Sequence, residues 1–281
     1  MKTFTIIKTA AITACIILAA STSMAAGFGG GYGGGFGKGS GYNSVTTTTR
    51  TQTAVAQLAV SQLSQAEQDG LLKMREEEKL ARDVYLYLYD LWQNPVFSNI
   101  SQSEQRHMDA IKTLLDKYGL TDPVADLGPG QFYSAEMQEL YETLTAKGSE
   151  SLEAALQVGA TIEDLDIKDL EELLEATDNE DIEVVYQNLM KGSRNHLRSF
   201  GSQLASTGVN YKAQFLSQDE VDAIINSARE RGRVDKDGNQ VSGPRGYGKR
   251  GFGRNTGGMG GMGSGANFID LNGDGICDNL Q

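Results

Sequence analysis

Cysteine is almost missing from this 281-residue sequence, which holds only Cys15 and Cys277. Cys15 falls inside residues 1–26, which have the make-up of a secretory signal. Lys2 and Lys8 give a basic start, residues 9–20 are apolar, and Ser23-Met24-Ala25 or Met24-Ala25-Ala26 offers a small-residue cleavage site. With that signal removed, Cys277 is the one thiol left. An internal disulfide is then excluded, and packing, with or without a metal, must hold the exported domain. Ile12-Thr13-Ala14-Cys15 is a poor lipoprotein box, because the apolar run before Cys15 is short and continues past it. The expectation is therefore a periplasmic or secreted chain with no lipid anchor and no transmembrane helix after signal removal.

Positive charge is also scarce: 25 Lys and Arg stand against 37 Asp and Glu, a formal net charge of −12. That balance argues against nucleic-acid binding and is compatible with attracting cations. Histidine occurs twice, as His107 and His196. Period-two alternation, the mark of a half-buried strand, is missing from the central region.

Glycine is plentiful at both ends. Residues 27–60 are Gly/Thr-rich, with Phe28, Tyr32, Phe36 and Tyr42 interspersed, and residues 233–267 form a Gly-rich basic linker. Neither stretch can bury enough surface to offset its ordering entropy, so both are expected to be disordered. Between them, residues 64–210 read as helices. Ser64 and Glu67 can form a capping box for a helix ending near Trp92. Asn94 reads as an N-cap and Pro95 as the first residue of a second helix, which Gly119 should stop. A connection containing Pro123, Gly128, Pro129 and Gly130 leads to a short helix after Ser134. A third long helix is expected over about 150–175, and a fourth, capped by Thr177 and Glu180, to about 205. Ser217 and Glu220 open an accessory helix over 217–232. The fold class is thus all-α, four long helices in a bundle with one long crossover connection.

The buried stripes of these helices carry unexpected residues. In the first, Leu71, Met74, Glu78, Ala81, Tyr85, Leu88 and Trp92 fall in register, whereas Glu77 shares its stripe with Lys73. Glu78 is thereby favoured as an inward carboxylate, the alternative being that Glu76, Glu77 and Glu78 form a solvated acidic turn. The second helix places Glu104 and His107 on the stripe of Phe97, Ile100, Ile111 and Leu114. The third adds Glu163 and Asp166, either of which can instead turn to solvent. The fourth aligns His196 with Ile182, Val185, Leu189 and Phe200. A stripe takes about three positions in seven, so two inward histidines alone decide little. Four helices each contributing a ligand-type residue weigh more. Four carboxylates and two imidazoles are the donor set of carboxylate-bridged di-iron or di-manganese centres. The bland alternative is a bundle with hydrogen-bonded core histidines and exposed acids.

Glu78-Lys-Leu-Ala81-Arg82-Asp-Val-Tyr85 and Glu104-Gln-Arg-His107 resemble the first- and second-helix motifs of rubrerythrins in the ferritin-like superfamily. The resemblance is closer still to the domain of unknown function 2202, a ferritin-like family. It rests on residues 76–85, 103–108, 159–167 and 192–198 and covers about residues 70–207. The resemblance implies a four-helix bundle and carries no established activity; the inter-helix metal ligands expected from the stripes are Glu78, Glu104, His107, Glu163, Asp166 and His196. Tyr85 is a possible accessory residue. Ser193 stands where rubrerythrin has a second Glu-x-x-His glutamate. Either Asp166 supplies that carboxylate, or the site is asymmetric, holds one metal or is empty. No rubredoxin-like cysteine quartet is present, so electrons would come from elsewhere.

At the end of the chain, residues 268–281 form a candidate calcium loop. Asp270, Asn272, Asp274, Ile276 (through its carbonyl) and Asp278 fall at ligand positions 1, 3, 5, 7 and 9, and Gln281 stands at 12. Asp235-Lys-Asp237-Gly-Asn239 is a shorter echo, expected to be a turn. The functional expectation is iron- or manganese-dependent oxidation of ferrous iron or reduction of oxygen or peroxide. Its rival is a non-catalytic exported module that uses calcium for surface attachment or stability. Oligomeric state and protein partners stay open.

Overall fold

A computed structural model describes Leu58 and residues 61–241. The expected signal, both Gly-rich tails and the candidate calcium loop lie outside those residues. Among them, no helix is long and apolar enough to cross a membrane.

Among the described residues, six helices follow in order: α1 Gln65–Trp92, α2 Pro95–Tyr118, α3 Ala135–Gly148, α4 Leu152–Glu175, α5 Glu180–Ser206 and α6 Gln218–Asn226. Local chemistry sets most ends. Ser64 and Glu67 cap each other's backbone at the start of α1, and Asn94 accepts from the Val96 amide before Pro95 opens α2. Gly119 closes α2 in the left-handed conformation, at φ 68°. Ser217 and Glu220 repeat the capping box at α6.

The start of α5 differs from the sequence expectation. Its N-cap is Asn179, without a side-chain cap. The Thr177 hydroxyl instead donates to Glu67 Oε1 (2.6 Å), as does Asn179 Nδ2 (2.6 Å). Satisfying a buried α1 carboxylate outranks capping a helix whose first turn already carries Glu180, Asp181 and Glu183.

The four long helices form the bundle. α1 packs beside α2 and α4, and α5 beside α2 and α4, while α3 lies in the crossover against α1 and α4. Connections of two residues (α1–α2) and four residues (α4–α5) make each of those pairs antiparallel. The core is the set of stripes seen in the sequence: Leu71, Met74, Leu88, Ile100, Ile111, Leu114, Leu170, Ile182 and Leu204 are all buried. Each such side chain contributes roughly 1.5–3 kcal/mol. At one end Tyr85, Phe97 and Phe200 stack as a ring cluster, with centroids 5.4–6.3 Å apart. Phe200 needs Gly159 opposite it, since a Cβ there would meet the ring at 2.5 Å.

The crossover is tied down by charged groups of α1. Lys79 pairs with Asp83 (2.5 Å), donates to the Gly128 carbonyl and sits 4.7 Å from the Phe132 ring centroid. Asp83 also accepts from the Gly130 amide, and Glu76 from the amides of Tyr133 and Ser134.

After α6 the chain departs from a longer accessory helix and a featureless linker. The helix ends at Asn226 because Glu230 is drawn down onto Arg194 and Arg198 of α5. Arg233–Val234 (β1) and Gln240–Val241 (β2) then form a small antiparallel hairpin. Asp235 accepts from the amides of Asp237 and Asn239, the turn expected there.

Candidate metal centre

At mid-bundle, Glu78 (α1), Glu104 and His107 (α2), Glu163 (α4) and His196 (α5) converge, all buried. They fall into two triads: Glu78–Glu104–His107 and Glu104–Glu163–His196. Within each triad, one ligand-type atom per residue lies within 4.8 Å of the others. Glu104 belongs to both. Its Oε2 lies 2.8 Å from His107 Nδ1 and its Oε1 lies 2.9 Å from His196 Nδ1. Glu78 Oε2 approaches His107 Nδ1 at 3.2 Å, and Glu163 Oε2 approaches His196 Nδ1 at 3.4 Å. The imidazole planes are stacked, 5.5 Å apart at 27°.

Neighbouring residues fix these groups. Tyr85 donates to Glu163 Oε1 (2.5 Å), so only Oε2 faces the imidazole. Gly192 gives His107 its room: a Cβ there would sit 2.5 Å from Nε2. Asp166 is partly buried and stands outside both triads, accepting from the Ser193 hydroxyl at 2.5 Å. The carboxylate of α4 thus fills the space opposite the short Ser193 side chain.

The electrostatics are those of a surplus of buried anions. Burial, then Asp166 and Glu104, push the Glu78 pKa well above the carboxylate range. Asp166 is raised to about 7 by burial and then by Glu163. Glu163 is raised by burial as well, although His196 pulls against it. Burial opposes charge on Glu104 too, but His196 and then His107 outweigh it and hold its pKa below the usual range. On His196, burial is outweighed by Glu104 and Glu163, which raise its pKa well above the usual value. Polar atoms nonetheless go unsatisfied. Glu78 Oε1, Glu104 Oε1 and both ring nitrogens of His196 have no hydrogen-bond partner among the described residues. Glu104 Oε1 and His196 Nδ1 therefore stand 2.9 Å apart without hydrogen-bond geometry. A cation held between them satisfies both atoms. Hard oxygen donors with imidazole suit iron or manganese, so the residues present fit such an ion.

The family model described as "Uncharacterized protein domain (DUF2202)" matches residues 67–228. The chain belongs to the DUF2202 family. A DUF2202-containing stretch of 178 residues is 53% identical to "Uncharacterized protein MJ0754" of Methanocaldococcus jannaschii, covering 63% of this chain and 96% of that protein. The crystal structure of hypothetical protein MJ0754 from Methanococcus jannaschii DSM 2661 superposes with a TM-score of 0.61 at 54% identity. It covers 62% of this chain and 99% of that one.

Of the six inter-helix residues expected from the sequence, five meet in the DUF2202 bundle, and Asp166 lies beside them. The alternative of a solvated Glu76–Glu77–Glu78 turn does not hold, since all three are buried. Sequence reasoning put Glu77 beside Lys73 but missed Asp169; the two carboxylates share Lys73 at 3.1 and 2.9 Å. The i,i+4 spacing of Lys73 and Glu77 was the signal for the first.

Proposed function

We propose that this domain is an exported, ferritin-like metalloprotein whose inter-helix centre holds two iron or manganese ions. Glu78, Glu104 and His107 would hold one ion and Glu104, Glu163 and His196 the other, with Glu104 common to both sets. The observation that carries this reading is the 2.9 Å approach of Glu104 Oε1 to His196 Nδ1, both buried and neither hydrogen-bonded. Leaving two such atoms without a hydrogen bond in a core costs on the order of a few kcal/mol unless a ligand joins them. When bound, such ions supply one-electron chemistry toward ferrous iron, oxygen or peroxide.

The chain's own residues do the rest. Tyr85 keeps Glu163 single-pronged toward His196, and Ser193 holds the Asp166 carboxylate beside the centre. The Tyr85–Phe97–Phe200 cluster seals one end against water. The buried carboxylates offset the ions' positive charge.

Metal analysis of the purified protein beside His107→Ala and His196→Ala tests this. The wild type should carry about two iron or manganese ions per chain, with at least one lost in each variant. No metal in the wild type, with unchanged stability in both variants, would falsify the reading.

A further inference from the structure

A second group of buried charges lies between α1 and α4, outside both triads. Glu77 is 8% exposed, yet neither carboxylate oxygen has a conventional hydrogen-bond donor; Oε1 lies 3.1 Å from the Lys73 ammonium, and the Asp169 carboxylate is its other close neighbour. The same ammonium lies 2.9 Å from Asp169 Oδ2, which likewise has no hydrogen-bond partner. A plain helix ion pair would account for Lys73 and Glu77, but not for a second carboxylate sharing the same cation in a half-buried interface. Lys73 is the outermost and most flexible member, its side chain 41% exposed against 14% for Asp169.

This cluster is continuous with the centre. Glu163, Asp166 and Asp169 follow one another at three-residue steps along α4, about 4.5 Å of rise each. They pass from the buried centre through the partly buried Asp166 to the partly exposed Asp169. On α1, Glu77 adjoins Glu78. The two helices run antiparallel, since Gly70 faces Leu173 while Tyr85 reaches Gly159 and Glu163. The carboxyl groups are also within electrostatic reach of one another: burial, then Asp169 and Asp166 against the pull of Lys73, push the Glu77 pKa well above the carboxylate range, and burial and then Asp166 do the same to Glu78.

We infer that Glu77 and Asp169 form a port for a divalent cation, with the Lys73 ammonium as its displaceable plug. From this port the ion passes by way of Asp166 to the inter-helix centre. An ammonium held between two carboxylates marks a place where a cation is stabilised, and its flexible stem lets it leave when a doubly charged ion arrives. The inference rests on the reading of the centre as a metal site.

The full-length protein, stripped with chelator, is mixed rapidly with Mn²⁺. Uptake is followed by loss of the free ion's paramagnetic resonance signal, and saturation stoichiometry is measured separately. Asp169→Asn should slow uptake about tenfold, the scale of electrostatic focusing at a charged mouth, with the saturating number of ions unchanged. Lys73→Gln should speed uptake severalfold. It also serves as the second variant if Asp169→Asn does not fold. Uptake within twofold of wild type in the folded variants overturns the port. So does a lowered saturation number in Asp169→Asn, which would make Asp169 a ligand of the centre. No Mn²⁺ binding by the wild type removes the centre as well, so the two failures are distinguishable.

Discussion

Glu163 and Asp164 are consecutive in α4, both buried, and their surroundings are opposite. Asp164 is enclosed by donors: the Tyr211 hydroxyl and the amides of Gln214, Phe215 and Leu216, at 2.6–3.2 Å. Glu163 has one donor, Tyr85, and otherwise faces an imidazole and another carboxylate. A buried carboxylate kept for architecture is satisfied by the chain itself. One that shares its space with other carboxylates, without enough donors, is stable as an anion only when a cation arrives. Lys79 and Asp83 repeat the first solution, and Glu78 repeats the second.

Three changes bear on that contrast. The largest loss of stability is expected from Asp164→Ala, which strands three amides and a hydroxyl. It should lower unfolding free energy by about 3 kcal/mol or more, equally with and without metal, in chemical denaturation. A loss under about 1 kcal/mol would mean that solvent replaces the carboxylate easily.

Glu78→Gln should behave the other way. Removing one of the crowded charges should leave metal-free stability unchanged or raise it, by about 1 kcal/mol. The same change should abolish most of the metal-dependent gain, which for the wild type is about 2.7 kcal/mol at a free ion concentration 100 times Kd. Melting curves with and without Mn²⁺ read both effects. A metal-free variant markedly less stable than wild type would break the contrast.

A third effect is in pH. Asp166 binds its proton more tightly folded than unfolded, its pKa rising from 3.8 to about 7. Its contribution to stability is therefore full below about pH 4 and is lost as pH climbs toward 7. Glu78, Glu163 and His196 are raised too and act with the same sign, whereas Glu104 is lowered and acts oppositely. Chelator-treated protein should thus lose stability between pH 4 and 7, less steeply in Asp166→Asn. A slope identical in the two would show that Asp166 ionises freely.

How much of this was legible before folding depends on how far the interactions reach. The Ser64–Glu67 and Ser217–Glu220 boxes, the Asn94–Pro95 start and the Gly119 stop each involve residues at most three apart, and all appear where the sequence puts them. The α5 cap does not, because Thr177 has a partner 110 positions away. The accessory helix was expected to run too far, to 232, for the same reason: Glu230 is bound by arginines more than thirty residues earlier.

Helical periodicity alone put Glu104, His107 and His196 on buried stripes, favoured Glu78 and left Glu163 and Asp166 open, since a 3.6-residue repeat fixes which side chains share a face. It could not say what Glu76, Glu77 and Glu78 each meet. Consecutive positions on a helix point about 100° apart, and what each meets depends on which helix lies in that direction. Packing sent Glu76 to the crossover, Glu77 to Lys73 beside α4 and Glu78 to the centre. It also placed Glu104 between two histidines 89 positions apart and set Asp166 against Ser193. Those pairings follow from the rotation and spacing of whole helices, which no local pattern encodes.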